Sequence, residues 1–200
     1  RGRGDVYKRQ LLKTAGADRI MSVDLHAAQS QGFFDGPVDH LVAMPVLVDY
    51  IRDRFQGHLD NVAVVSPDAG RIRVAEQWAQ RLGGGPLAFV HKTRDITRPN
   101  QAVANRVVGD VAGKDCVLVD DLIDTAGTIA GACHVLQDAG AKSVTVVATH
   151  GVLSGPAVER LKNCGAREVV LTDTVPIPEE KRWDGLTVLS IAPLLASAIR

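Results

Sequence analysis

Between Val117 and Ile129 the chain reads Val-Leu-Val-Asp-Asp-Leu-Ile-Asp-Thr-Ala-Gly-Thr-Ile, an order that leaves few local structures open. A short apolar run forms a strand, paired carboxylates follow, small and hydroxyl residues make a turn, and an apolar helix begins. A strand whose C-terminal end opens into a helix N-terminus is an anion site by construction. The first-turn N–H groups have no intrahelical acceptor, and the aligned peptide dipoles favour negative charge there. Thr125 and Thr128 add hydroxyl donors, while Ala126 and Gly127 allow close approach of backbone to ligand. Asp120 and Asp121 repel a bare phosphate, so they fit sugar hydroxyls or a metal ion. A ligand with phosphate at one end and a diol nearby satisfies both halves, and ribose 5-phosphate is such a ligand. The competing local reading is an ordinary strand–turn–helix in which Asp124 or Thr125 caps the helix.

The rest of the chain repeats the strand-then-helix pattern. Strands are predicted at 20–25, 62–65, 87–90, 116–119, 144–148, 168–172 and 186–191, with helices over 44–55, through Leu82, 128–139, 156–164 and 194–199. Pro45 suits a helix start, where its missing N–H costs little, and Gly140 suits the position just past a helix end. Short β-rich runs alternating with helices imply an α/β fold, a mainly parallel twisted sheet flanked by helices. In such sheets ligands bind beyond the carboxyl ends of the strands. The loops after Leu25, Val65 and Val119 are therefore the candidate functional loops.

Charge is balanced, 23 basic against 23 acidic residues, and aromatics are only 4%. Both argue against a nucleic-acid surface. No apolar run reaches transmembrane length, so no membrane partner is expected. Cys116, Cys133 and Cys164 are far apart, without metal-ligand spacing, and read as core thiols of a reducing compartment. The opening Arg-Gly-Arg-Gly-Asp-Val-Tyr-Lys-Arg-Gln is basic and aperiodic; residues 1–10 read as a non-native segment. Periodicity starts at Leu11 as if in mid-helix.

The segment 117–129 resembles the phosphoribosyl-pyrophosphate binding motif of the type I phosphoribosyltransferase fold. The run from Asp24 to Asp39, Asp-Leu-His-Ala-Ala-Gln-Ser-Gln-Gly-Phe-Phe-Asp-Gly-Pro-Val-Asp, is very similar to the signature of the ribose-phosphate pyrophosphokinases, also called phosphoribosyl pyrophosphate synthetases. With it the resemblance covers Leu11 to Arg200. It implies a phosphoribosyltransferase-like C-terminal domain over 46–200 and, over 11–45, a remnant of a similar N-terminal ATP-binding domain. It implies transfer of the pyrophosphoryl group of ATP to the 1-hydroxyl of ribose 5-phosphate, giving phosphoribosyl pyrophosphate and AMP. It implies Mg²⁺ as cofactor with ATP as co-substrate, a cytoplasmic homo-oligomer (a hexamer by resemblance), and His26 and Asp68 as metal ligands. Lys92 and Arg94 map to lysine and arginine of a flexible catalytic loop. That loop is read here in the aperiodic polar stretch His91–Gln101, which has the character of a lid.

Ribose 5-phosphate is assigned to Arg94, Asp120, Asp121, Asp124, Thr125, Ala126, Gly127 and Thr128. For Asp68 the local alternative is helix capping, and Arg71 and Arg73 face either phosphate or solvent. Ala126 stands where many such motifs carry glycine, which is tolerable unless the site needs positive φ. With most of the ATP-binding half absent, the 200-residue chain is expected to be inactive alone, and Phe33, Phe34, Leu11 and Leu12 are expected to be exposed. The alternatives are a salvage phosphoribosyltransferase and a non-catalytic regulatory homologue.

Overall fold

A computed structural model describes residues 10–25, 34, 36–93 and 104–199, with backbone alone at 92, 93, 104 and 105. The described residues fall into two compact units, one drawn from Arg1–Ala43 with Ile191–Arg200, the other Met44–Ser190.

The first unit contains a helical stretch at 10–14 (α1), strands β1 (Ile20–Val23) and β2 (Val38–Leu41), and helix α6 (Ala192–Ile199). β1 and β2 pair in parallel, from Ile20 against Val38 to Val23 against Leu41. The sequence reading places His26 to His40 in the loop after Leu25, whereas Val38–Leu41 is a strand. β2 forms there because β1 supplies the ladder partners that a strand this short needs. Arg19 forks onto Asp39, with Nη2 donating to Oδ1 at 2.8 Å. Past the end of β1, Leu25 N–H donates to His40 Nε2 at 3.0 Å and Ala43 N–H to Asp24 Oδ2 at 3.1 Å. Leu11 and Leu12 are exposed as expected, but Phe34 is buried at 7% exposure. Lys13 Nζ lies 5.8 Å from its ring centroid; Phe33 lies outside the described residues.

The second unit runs α2 (Met44–Arg54), β3 (Val62–Ser66), a single 3₁₀ turn (Ala69–Arg71), α3 (Ile72–Arg81), β4 (Leu87–Thr93), β5 (Ala104–Val108), β6 (Asp115–Ile123), α4 (Gly127–Asp138), β7 (Ser143–Gly151), α5 (Ala157–Asn163), β8 (Glu168–Thr172) and β9 (Leu186–Leu189). Its helices bury apolar residues at the 3.6-residue period: Met44, Leu47, Val48 and Ile51 on α2, and Ile129, Ala132, Cys133 and Leu136 on α4. All three cysteines are buried free thiols. The α4 end matches expectation. Gly140 has φ +83°, its N–H bonds Gln137 O at 2.9 Å, and Ala141 N–H bonds Leu136 O at 3.0 Å. At the opposite end of the sheet from the candidate site, Glu168 accepts Thr187 Oγ1 at 2.6 Å and Arg54 Nε at 3.0 Å, tying α2 to the starts of β8 and β9.

The seven strands order as β5-β4-β3-β6-β7-β8-β9. Every pairing is parallel except β4 with β5. That hairpin corrects the sequence reading, which placed His91 to Gln101 in one loop. His91–Thr93 extend β4, and Ala104–Val108 pair with it, Phe89 opposite Val108 through Thr93 opposite Ala104.

From β3 the chain steps to β4 on one side, and from β6 it steps to β7, β8 and β9 on the other. Right-handed crossovers lay α3 and α4 on opposite faces. The carboxyl ends of β3 and β6 thus flank the point where the winding reverses, and that crevice is where an open α/β sheet binds its ligand.

Candidate functional site

β6 carries the site. Its first five residues, Asp115 to Val119, are buried, Asp120 to Leu122 are half-buried, and Ile123 is buried again. The sequence reading ended this strand at Val119 and placed the aspartates after it. Instead the ladder with β7 continues, pairing Asp120 with Ala148, Leu122 with His150 and Ile123 with Gly151. Asp120 and Asp121 therefore stand on the strand, on opposite faces of the sheet.

Their environments differ. Asp121 is paired with Arg71, Nη2 to Oδ2 at 2.8 Å, with side chains 24% and 16% exposed. Asp120 accepts the Asp121 N–H at 2.8 Å. Burial, followed by its side-chain hydrogen bond with Asp121, pushes the Asp120 carboxyl up to about 7. Arg71 was read as facing phosphate or solvent, and here it holds a carboxylate. The two residues lie 50 positions apart, so only the adjacency of the β3 and β6 loops could have signalled the pair. Arg73 is exposed.

Asp68, beyond the end of β3, caps the 3₁₀ turn, its Oδ1 accepting Gly70 N–H at 2.8 Å. Ser66 Oγ donates to the Asp68 carbonyl at 2.6 Å. The cap engages one carboxylate oxygen. A residue that holds a hydrated Mg²⁺ through its other oxygen is chemically compatible with this arrangement, since that ion keeps several waters and takes few protein ligands. Among the described residues no group of three or more His, Cys, Asp or Glu side chains converges on one point. A site here would thus draw on phosphate and water more than on a protein cage. His26, Arg94 and the Lys92 side chain lie outside the described residues.

Three successive carbonyls leading into the turn, Ile123 to Thr125, are met by the loop after β7 and by α5. Ile123 O accepts Val152 N–H at 3.0 Å and Leu153 N–H at 3.2 Å, Asp124 O accepts Ser154 N–H at 2.9 Å, and Thr125 O accepts Arg160 Nη1 at 2.9 Å. Neither Asp124 nor Thr125 caps α4. The N-cap is Ala126, in the left-handed region at φ 59° and ψ 10°, and it makes no side-chain cap bond. Asp124, Thr125, Gly127 and Thr128 are exposed around this helix start. A helix start whose N-cap residue makes no side-chain bond, with no acidic residue in its first turn, is suited to an external anion.

Ala126 does occupy positive φ, the case in which alanine is strained. An L-residue there costs about 1–2 kcal/mol. Its methyl is buried at 5% exposure. Ala126→Gly is expected to stay within about 1 kcal/mol of wild type, as relief of strain offsets lost methyl burial and the added flexibility of the unfolded chain. Ala126→Val is expected to cost about 2 kcal/mol or more, since a β-branched residue fits this region worst. Urea unfolding of both variants checks the contrast, and equal losses would show that the left-handed turn is not held.

A family model described as the phosphoribosyl synthetase-associated domain matches residues 92–200. The chain belongs to this family. It is 64% identical over 202 residues to the ribose-phosphate pyrophosphokinase of Corynebacterium efficiens, a match covering 100% of this chain and 61% of that one. It is 63% identical over 203 residues to that of Mycobacterium tuberculosis, covering 100% of this chain and 62% of the relative. A crystal structure of phosphoribosylpyrophosphate synthetase from Mycobacterium smegmatis superposes with TM-score 0.90 at 60% identity, over 98% of this chain and 62% of that one. The chain thus spans about three fifths of the length of these relatives. The family assignment agrees with the resemblance carried by residues 24–39 and 117–129, and the matched span contains the whole of β6, the turn and α4.

Proposed function

We propose that this chain carries the ribose 5-phosphate site of a ribose-phosphate pyrophosphokinase. The observation that carries the reading is the open, left-handed turn at the sheet's reversal point, set directly after the paired aspartates. Gly127, Thr128 and the turn Asp124–Ala126 receive the 5-phosphate on backbone N–H and hydroxyl donors. Asp120 and Asp121 face the ribose hydroxyls. The 1-hydroxyl oxygen bonds to the β-phosphorus of ATP, the bond from that phosphorus to the α,β-bridging oxygen breaks, AMP leaves, and the hydroxyl proton passes to solvent or a nearby base. Such transfers depend on positioning and charge neutralisation more than on covalent chemistry.

Lys92 and Arg94 are proposed to stabilise charge developing on the transferring group, with Arg94 also contacting ribose 5-phosphate. Lys92 is at the end of β4 in the hairpin whose connection, 94–103, lies outside the described residues. His26 and Asp68 are proposed as ligands of Mg²⁺, which when bound neutralises the ATP phosphates. Assembly as a homo-oligomer, a hexamer by resemblance, and a cytoplasmic location belong to the same proposal. Among the described residues no helix is long and apolar enough to cross a membrane.

A salvage phosphoribosyltransferase would share the turn but has no use for the His26 segment. AMP release from ATP, as opposed to nucleotide formation from a free base, separates the two. A regulatory homologue is disfavoured by the retained Lys92, Arg94 and His26.

Calorimetry on this chain tests the cradle, because its parts are local to residues 120–129. Ribose 5-phosphate is expected to bind and ribose to bind far more weakly. Thr128→Val keeps shape, removes a donor, and is expected to weaken ribose 5-phosphate by about 1.5 kcal/mol, roughly tenfold. Equal affinity for sugar and sugar phosphate would remove the phosphate from this turn.

A further inference from the structure

Beyond the motif itself, we infer that Arg160 is a positioning residue of the phosphate-binding turn, holding its Thr125 carbonyl and supplying fixed positive charge at its mouth; this rests on the ribose 5-phosphate reading above. Arg160 is in α5, and its Nη1 donates to Thr125 O at 2.9 Å. The same nitrogen lies 3.4 Å from where a Cβ would stand on Gly127, so the guanidinium rests against the first residue of α4.

The backbone of the β7–α5 loop reaches Ile123 O and Asp124 O. Thr125 O, one residue further, is met by this side chain. The Thr125–Ala126 peptide is the one that leads into the left-handed residue. Fixing its carbonyl on the α5 side aims the Ala126 N–H the opposite way, since the two groups are antiparallel across a trans peptide.

The charge argument is independent of that hydrogen bond. A cation beside a helix N-terminus works against the helix dipole, by about 0.3–1 kcal/mol at an exposed position. Arg160 is exposed, and among the described residues no carboxylate forms an ion pair with it. A guanidinium has five N–H donors in a planar fork suited to phosphate oxygens. Left alone, this arrangement is unfavourable. With an anion seated over Gly127 and Thr128, both the helix end and the guanidinium gain a counter-charge.

The experiment measures ribose 5-phosphate affinity by calorimetry at pH 5 and pH 7.5 for this chain, Arg160→Met and Arg160→Lys. The phosphate gains its second charge near pH 6, so the two conditions compare monoanion with dianion. Wild type is expected to prefer the dianion. Arg160→Met is expected to bind the dianion about tenfold more weakly and to lose much of that preference, while Arg160→Lys recovers part of both. Every other titratable side chain is common to the three proteins, so the change in preference between them isolates the guanidinium. A purely structural brace would weaken both charge states alike, and that result, or unchanged affinity in both variants, overturns the proposal. If Arg160→Met does not fold, Arg160→Lys carries the comparison, its expected loss being intermediate at both the turn and the charge. A wild-type chain that binds ribose as well as ribose 5-phosphate overturns the site reading and this proposal together, whereas wild-type phosphate preference with indifferent variants overturns this proposal alone.

Discussion

Replacing Asp120 by asparagine is expected to remove most of a pH-dependent instability from the fold. The Asp120 carboxyl is pushed from 3.8 up to about 7, chiefly by burial on β6 and next by its hydrogen bond with Asp121. Between those values the folded chain holds a proton that the unfolded chain has already released. Stability must therefore fall as pH rises from about 4 toward 7 and level off above. Each pKa unit corresponds to about 1.4 kcal/mol, so the effect at pH 8 is on the order of 2–4 kcal/mol. Asparagine keeps the size of the side chain and does not titrate. Compared with wild type, Asp120→Asn should gain that stability between pH 5 and pH 8, measured by urea unfolding at the two values. Parallel pH profiles for the two proteins would mean that Asp120 is an ordinary ionised carboxylate when folded.

The gain would come at the expense of binding. Ribose hydroxyls donate to a carboxylate more strongly than to an amide oxygen, because hydrogen bonds to a charged acceptor are roughly twice as strong. Asp120→Asn should thus be the more stable protein above neutrality and the weaker binder. That trade is the usual one at a site whose charges serve a ligand and not the fold.

In a chain extended to the length of its curated relatives, Lys92→Ala and Arg94→Ala are each expected to lower kcat by about 10²–10³, the magnitude lost with one preorganised donor at a developing charge. The loss should appear in kcat and kcat/KM together, with KM little changed, because the proposed role of these groups is on charge that appears only in the transition state. Steady-state assay of AMP formation from Mg·ATP and ribose 5-phosphate provides both numbers. A rise in KM at unchanged kcat would make the two residues ground-state clamps and would end the catalytic assignment. Lys92 lies in β4, opposite Asn105. β4 runs parallel beside β3, so its last residues stand at the sheet's carboxyl edge.

The layered α/β architecture was legible from periodicity alone. Runs such as Val62–Ser66 and Glu168–Thr172 are short, apolar and β-branched, and their burial on both faces is what a parallel strand imposes on composition. The turn chemistry of 124–128 was legible too, because small and hydroxyl residues between a strand and a helix have few other uses. What escaped local reading was pairing. β2 and β5 are strands because β1 and β4 lie beside them, and β6 runs on through Asp120 and Asp121 because β7 continues alongside. A hydrogen-bonding partner of this kind leaves no mark on the residues of the strand itself.

The same division holds at the site. Sequence by itself determined which groups are available: two adjacent carboxylates, a turn of small residues and the hydroxyls of Thr125 and Thr128. Tertiary structure decided their states. It set Asp121 against Arg71 and buried Asp120, so neighbouring residues of one type meet different electrostatic surroundings. It holds the carbonyls of Ile123, Asp124 and Thr125 just ahead of Ala126, which stands in the left-handed region. It brought Arg160 from α5 to Thr125, 35 positions away in the chain. Charge state and backbone strain depend on what surrounds a residue in space, and only the reversal of winding between β3 and β6 places those surroundings together.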